Sequence, residues 1–240
     1  MTQAPITASI TLAELITGRP SLAAELERRG LDYCCGGARS LADACAERGL
    51  DGNVVADQLS HLAVDESPAE WATLGLAELV DHLEQVHHQY LSTELVRARA
   101  LVDKVYSVHG QLHPELAEVQ RLFVELQSDL EPHLIKEERV LFPMIRELAS
   151  ATVAPSFHCG TLSNPISVML SEHDRVGELL AQLRVATNGY VVPADGCASY
   201  EACYRSLENI EADTHLHIHK ENNVLFPAVV AHEVRIRDAG

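Results

Sequence analysis

Two segments of the chain pair a histidine with a glutamate four residues later and then share the run Val-Leu-Phe-Pro. The first reads HLIKEERVLFPMI from His133, and the second reads HIHKENNVLFPAV from His217. Seven of the 13 positions are identical, whereas unrelated segments of ordinary composition would share about one. Residues four apart on a helix project from the same face, so His133 with Glu137, and His217 with Glu221, can each reach a common ion.

Each segment is preceded by another histidine at nearly the same distance. His88 lies 45 residues before His133, and His173 lies 44 residues before His217. Helical periodicity does not separate His87 from His88, because either could face inward, but the matched spacing favours His88. The sequence therefore predicts two copies of one helix pair, with a histidine on the first helix and His-x-x-x-Glu on the second.

The donor set of four imidazoles and two carboxylates indicates a transition-metal site. Calcium and magnesium prefer all-oxygen sites, and a four-coordinate zinc needs fewer side chains than these six. Two glutamates shared between two ions, with two histidines on each, would hold the ions ~3.5–4 Å apart. The alternative is that each histidine is an ordinary hydrogen-bonded core residue. The duplication argues against it, because packing alone does not require His-x-x-x-Glu twice.

Four long helical stretches carry these residues, separated by short breaks that contain Gly, Pro or Asn. The stretches span approximately residues 75–105, 114–149, 165–187 and 198–232. Short connections between long helices favour antiparallel neighbours, so we predict an all-α fold, an up-down-up-down four-helix bundle. We expect kinks or local breaks at Pro132, Pro143 and Pro227, which lie inside the stretches.

The chain divides into a small helical domain at 1–50, a linker at 51–70 and the bundle at 71–235. The linker is predicted from the turn-forming residues Asp51-Gly-Asn53 and Ser67-Pro68. In the small domain, Thr11 and Ser40 each begin a capping-box pattern, which predicts helix starts near residues 12 and 41.

Two adjacent thiols occupy the turn between those helices, in the stretch LDYCCGG from Leu31 to Gly37. Adjacent cysteines can form only a strained disulfide, which is easily reduced. We predict a redox or docking role for Cys34 and Cys35. The alternative is that one of them packs inward and the other is incidental.

Composition excludes several classes of protein. The 240 residues carry a formal net charge of −17 and only 5% aromatic side chains, so neither nucleic-acid binding nor a large sheet is expected. No apolar run approaches the ~18 residues of a membrane span, and the N-terminus lacks a secretory pattern. The six cysteines lack zinc-finger spacing, so we predict a cytoplasmic protein with reduced thiols.

Four stretches together resemble the repair-of-iron-centres family of di-iron proteins, whose main domain is hemerythrin-like. They are LDYCCGG at 31–37, HLIKEE with LFP within 133–143, PISVM with SEHD within 165–174, and ENNVLFP at 221–227. The resemblance implies two non-haem irons, oxo- or hydroxo-bridged when oxidised. Their implied ligands are His88, His133, His173 and His217, with Glu137 and Glu221 as bridges.

The same resemblance extends to residues around the ligands. Asp81-His82, six residues before His88, matches the family's first ligand helix and again favours His88 over His87. Acidic residues on a route to the site are implied at Asp129 and Glu172.

The family's function is the repair of iron–sulfur clusters damaged by nitrosative or oxidative stress, and the resemblance implies that this chain shares it by donating iron. The implied partners are damaged iron–sulfur proteins or the cluster-assembly machinery. Two alternatives use the same ligands: an enzyme that reduces nitric oxide at the two irons, and a sensor that binds nitric oxide or dioxygen. The bundle sequence alone does not distinguish the three.

Overall fold

The computed structural model describes residues 5–62 and 69–239. Within these residues the elements of regular structure are helices, as the composition predicts. The shorter helices near the N-terminus are α1 Leu12–Gly18, α2 Ala23–Arg28, α3 Leu41–Glu47 and α4 Gly52–Ser60. The longer part of the chain contains α5 Leu76–Leu83, α6 Gln89–His109, α7 Glu115–Lys136, α8 Phe142–Ser150, α9 Ser163–Ala186, α10 Ala198–Lys220 and α11 Phe226–Ala239.

Side-chain caps set the starts of the small helices. The Thr11 hydroxyl accepts the Glu14 backbone N–H while the Glu14 carboxylate accepts that of Thr11, which completes a capping box. The Ser40 hydroxyl likewise accepts the backbone N–H of Asp43. Both helix starts inferred from the sequence are confirmed.

The segment predicted as a linker is partly helical. Asp51, which suggested a turn, is the N-cap of α4, and its carboxylate accepts the backbone N–H groups of Asn53 and Val54. Helix α4 packs against α3 and buries Val55 and Leu59. Ser67-Pro68, the other linker signal, lies outside the described residues. The domain boundaries themselves stay a prediction.

The four long helical stretches form the predicted bundle. The first joins α5 to α6, the second α7 to α8, the fourth α10 to α11, and α9 alone forms the third. Helix α6 packs against α7 and α10, and α7 packs against α9. None of the helices among the described residues is both long and apolar enough to cross a membrane.

A single π-turn interrupts three of the four stretches, at Glu84–His88, Glu137–Leu141 and Glu221–Leu225. Pro143 and Pro227 lie two residues after two of these turns, where a wider turn accommodates a residue that lacks an N–H and clashes with the preceding turn. The local breaks expected at these prolines are therefore confirmed. Helix α7, by contrast, continues through Pro132.

Apolar side chains in the described residues form two clusters at opposite ends of the bundle. One cluster joins the N-terminal helices to the end that contains Phe123 and Leu180. The other lies around Trp71, Phe142 and Phe226. On every long stretch the predicted ligands fall between the two clusters, so a polar layer is enclosed by apolar packing on both sides.

Candidate metal centre

Four helical stretches bring the six predicted ligands into one buried layer. Their exposed fractions are all between 0% and 2%. Their donor atoms form two groups that each fit around one ion: His88 and His217, and His133 and His173, with Glu137 and Glu221 in both groups. The layer thus contains two places for a cation with a pair of carboxylates between them.

The distances agree with donor atoms that converge on shared points. The Nε2 atom of His133 lies 3.4 Å from Glu137 Oε2, and that of His88 lies 3.6 Å from the same oxygen. On the other side, Nε2 of His173 lies 3.2 Å from Glu221 Oε2, and Nε2 of His217 lies 3.3 Å from Glu221 Oε1. Four imidazole rings that each present Nε2 to one of two carboxylates are arranged as ligands.

Several of these donor atoms have no hydrogen-bond partner among the described residues. Both carboxylate oxygens of Glu137 and of Glu221, and Nε2 of His88 and of His217, are buried and unsatisfied. A buried polar group without a partner costs about 1–3 kcal/mol, and more when charged. Cations at these points would satisfy the donors, so the residues fit a metal centre.

The electrostatics of the layer also suit a metal. Burial, with a smaller effect of His173, lowers the pKa of His133 to about 4, and burial lowers that of His217 to about 4. Both imidazoles are therefore neutral near pH 7, the form that ligates. Burial, then repulsion by Glu221, raises the pKa of Glu137 well above its ordinary value. Without a cation a proton on Glu137 relieves the repulsion between the two carboxylates, and a bound cation would take the place of that proton.

Surface carboxylates orient two of the ligands from behind. Nδ1 of His88 lies 3.0 Å from Glu138 Oε1, and Nδ1 of His133 lies 2.9 Å from Glu172 Oε2. A carboxylate that accepts the Nδ1–H leaves Nε2 free to bind metal. Glu172 is 31% exposed and also pairs with Lys136, so it connects a buried ligand to the surface.

The other two histidines have different surroundings. Nδ1 of His173 lies 2.7 Å from the side-chain oxygen of Asn222. Nδ1 of His217 has no partner among the described residues, and its ring instead stacks on His87 with the centroids 5.2 Å apart. Asn222 was not among the residues inferred from the sequence. Its position, directly after the glutamate of the second motif, is the same as that of Glu138 in the first.

His87 is buried beside the centre but belongs to neither group of donors. Its Nδ1 lies 2.9 Å from Asp213 Oδ1, and its Nε2 lies 2.7 Å from Lys220 Nζ. Lys220 also contacts His82, and burial lowers the Lys220 pKa to about 8. The π-turn explains how consecutive histidines are both buried, because an extra residue in the turn breaks the 3.6-residue periodicity.

Asp129, which the resemblance also implied, and His219, which it did not, lie outside the polar layer. Asp129, one turn before His133, is 43% exposed and pairs with Arg175 at 3.6 Å. His219 is buried against the N-terminal segment, where its ring nitrogens contact the Thr17 hydroxyl and the Tyr33 carbonyl, both at 3.2 Å.

The two adjacent thiols are free and lie on the bundle. Cys34 is buried and Cys35 is partly exposed, with Sγ atoms 3.8 Å apart. A hydrogen bond to Cys35, together with burial, raises the Cys34 pKa well above its ordinary value. The Asp32 carboxylate accepts the backbone N–H groups of Cys34, Cys35 and Gly36, which fixes the turn. Both thiols line a groove of about 560 Å³ that also contacts α9 at Asp174.

Comparison with known proteins assigns both parts of the chain to families. Residues 78–229 match the hemerythrin HHE cation binding domain, and residues 8–63 match a domain of unknown function, DUF542. The iron-sulfur cluster repair protein YtfE of Escherichia coli O1:K1 is 34% identical over 222 residues, which cover 92% of this chain and 97% of the relative. The YtfE proteins of Escherichia coli SMS-3-5 and Escherichia fergusonii match with the same identity and coverage. The resemblance noted from the motifs is confirmed: the chain belongs to the hemerythrin HHE cation-binding family, within the group of iron–sulfur cluster repair proteins.

Proposed function

We propose that this chain is a di-iron protein that repairs iron–sulfur clusters damaged by nitrosative or oxidative stress, by donating iron. The observation that carries the proposal is the pair of buried donor groups that share Glu137 and Glu221. The relatives named iron-sulfur cluster repair protein align over nearly the whole chain, including the segment with the two thiols.

In this proposal two imidazoles would hold each iron, and Glu137 and Glu221 would contribute to both. His88 and His217 hold one ion, while His133 and His173 hold the other. Mixed imidazole and carboxylate donors suit iron. The bound irons supply redox chemistry and sites for nitric oxide or dioxygen. The protein's own contribution is to exclude bulk water and to hold the Nε2 atoms in place.

The surroundings of the site formed by His133 and His173 support iron donation. Glu172 contacts His133 at 2.9 Å and is itself partly exposed, so a carboxylate lies between this ligand and solvent. A carboxylate at such a position attracts a departing cation and competes for it. We propose that Glu172 takes part in iron release, and that Asp129, one turn along α7, adds negative charge to the same surface.

The proposed partners are proteins with damaged iron–sulfur clusters or the machinery that assembles clusters. The groove beside Cys34 and Cys35 is the surface we propose for such contacts. A thiol pair that stays reduced requires a reducing compartment, which supports the cytoplasm as the proposed location.

The test begins with metal content and continues with transfer. Protein supplied with iron is expected to hold about two irons per chain, whereas Glu137→Ala is expected to lose them. His61→Ala is the matched control, because His61 is exposed and belongs to neither group of donors. One zinc and no iron under these conditions would contradict the di-iron assignment.

Transfer is tested anaerobically with a hydratase whose [4Fe–4S] cluster has been damaged. The reduced, iron-loaded protein is expected to restore activity faster than the same amount of free iron. Gas analysis after addition of nitric oxide runs in parallel. If the protein is no better than free iron while nitric oxide is reduced catalytically, the nitric oxide reductase function replaces donation.

A further inference from the structure

The π-turn at Glu221–Leu225 directs two consecutive asparagines toward the thiol loop, which we define as residues 31–37. Asn222 places its side-chain oxygen 2.7 Å from Nδ1 of His173 and its Nδ2 3.4 Å from the Cys34 carbonyl. Asn223 donates to the same carbonyl at 3.0 Å. One side chain, Asn222, therefore contacts both a candidate ligand and the backbone of the thiol loop.

The first copy of the repeat has a carboxylate, Glu138, at the position that Asn222 occupies in the second copy. Glu138 follows Glu137 as Asn222 follows Glu221, and it contacts His88 as Asn222 contacts His173. Its carboxylate is 45% exposed. A carboxylate can only accept from histidine, whereas an amide can accept from the imidazole and donate to a carbonyl at the same time. The amide in the second copy is thus suited to join two groups.

The thiol loop packs closely against the helical segments that carry His173 and Asn222. A Cβ on Gly37 would lie 2.5 Å from the Asn223 side-chain oxygen, so only glycine permits this approach. A Cβ on Gly177 would lie 3.7 Å from Cys35 Sγ, and Gly177 is one helical turn after His173. The thiol loop thus contacts both α9, which carries His173, and the π-turn at Glu221–Leu225.

We propose that Asn222 is a positioning residue that couples the thiol loop to His173. The state of the loop then controls how firmly the ion held by His133 and His173 is retained. The inference rests on the metal centre of the proposed function. Coupling between two sites is reciprocal: if the loop affects metal retention, bound metal must restrain the loop by the same factor.

Cobalt is a suitable probe, because Co²⁺ resists oxidation and its visible spectrum reports the ligands. Cys34 is buried, so iodoacetamide reaches it only when the loop opens. Alkylation at Cys34, distinguished by peptide fragmentation from alkylation at the partly exposed Cys35, is followed by mass spectrometry in the metal-free and Co²⁺-saturated protein. We expect Co²⁺ to slow alkylation about fivefold or more, and prior alkylation to speed Co²⁺ release to a chelator.

Three variants distinguish coupling between the thiol loop and His173 from support of His173 alone. Asn222→Asp keeps an acceptor for His173 but lacks the donor to Cys34, so it should retain Co²⁺ with an unchanged spectrum and lose the metal effect on alkylation. Asn222→Ala should lose that effect and also release Co²⁺ about 10-fold faster. Glu138→Ala is the matched control from the other copy: it should loosen Co²⁺ yet keep the metal effect on the thiols.

The outcomes distinguish this inference from the proposed function. Failure of the wild-type protein to bind two Co²⁺ ions would overturn the metal centre itself. Binding of two ions with no change in alkylation rate would overturn the coupling alone, and this comparison needs no variant that must fold. Retention of the metal effect in Asn222→Asp, or its loss in Glu138→Ala, would show that Asn222 is not the connection.

Discussion

The two helix pairs of the bundle carry the same ligand pattern in different surroundings. In the first pair, residues 76–150, the supporting carboxylate Glu138 faces solvent. In the second pair, residues 163–239, its counterpart Asn222 faces the thiol loop. The ligand types match in both copies, as two cations at the candidate sites would require. The residues that support the ligands are free to differ. In the first copy this residue, Glu138, is exposed to water, and in the second copy its counterpart, Asn222, contacts the thiol loop.

This difference makes the two candidate ion sites inequivalent. Each site takes one histidine from each pair, but only the site of His133 and His173 borders both the partly exposed Glu172 and the thiol loop. The other site also has a partly exposed carboxylate, Glu138 behind His88, but its His217 stacks on the buried His87 and no contact joins it to the thiol loop among the described residues. We expect the site of His133 and His173 to exchange its ion more readily.

The largest expected effect comes from the glutamates that belong to both sites. Glu137→Ala and Glu221→Ala should each lose both ions, because removal of a shared carboxylate leaves the cations' mutual repulsion uncompensated. Elemental analysis after desalting measures this. Loss of one ion from either variant, or iron content equal to that of His61→Ala, would contradict the shared-bridge arrangement.

Removal of the N-terminal segment should destabilise the bundle without removing a ligand. A fragment of residues 70–240 keeps all six ligands and should bind two ions. It loses the apolar cluster that the N-terminal helices share with the bundle, so its stability should fall. A loss of only about 2 kcal/mol would lower the unfolding temperature by roughly 4–8 °C.

Calorimetry and metal analysis of the fragment test this together. An unchanged unfolding temperature would mean that the shared cluster contributes nothing. A fragment that binds no metal would show that residues 1–69 supply essential packing and that the predicted domain division is wrong.

The supporting carboxylates should each affect one ion. Glu172→Ala, behind His133, should speed release of about one ion per chain to a chelator by about 10-fold. Asp129→Ala is the comparison from the same surface: its carboxylate pairs with Arg175, so the effect should be smaller. Stopped-flow release with two resolvable phases is the measurement. A single phase accelerated for both ions would remove the inequivalence of the sites.

The smallest effect concerns the start of the second helix in each pair. Pro114 precedes α7, whereas the exposed Cys197 precedes α10, with Sγ 3.2 Å from Nε2 of His109. That hydrogen bond, with backbone N–H groups, lowers the Cys197 pKa to about 7. Thiolate is the reactive form, so near pH 7 iodoacetamide should label Cys197 before Cys34, whose pKa is raised.

His109→Ala removes the principal cause of this shift. If the Cys197 pKa then rises by about one unit, alkylation at pH 7 should slow roughly fivefold, and the difference should vanish at high pH where both thiols are ionised. Equal rates for the wild type and His109→Ala at pH 7 would contradict the assigned cause.

Local patterns in the sequence determined much of this protein. The capping residues Thr11 and Ser40, the helix breaks and the duplicated motif depend on neighbours within a few residues, so they were readable before any fold was known. Asp51 shows the limit of such patterns, because the same residue types that form turns also begin helices. For the candidate centre, the repeat identified six positions that the structure brings into one buried layer.

Tertiary structure decided what periodicity and spacing left open. His87 and His88 are both buried because a π-turn adds a residue, so only distances in space show which one reaches the glutamates. The contact of Asn222 with Cys34 joins residues 188 positions apart. No helical period encodes such a contact, since it depends on where the folded N-terminal segment packs against the bundle.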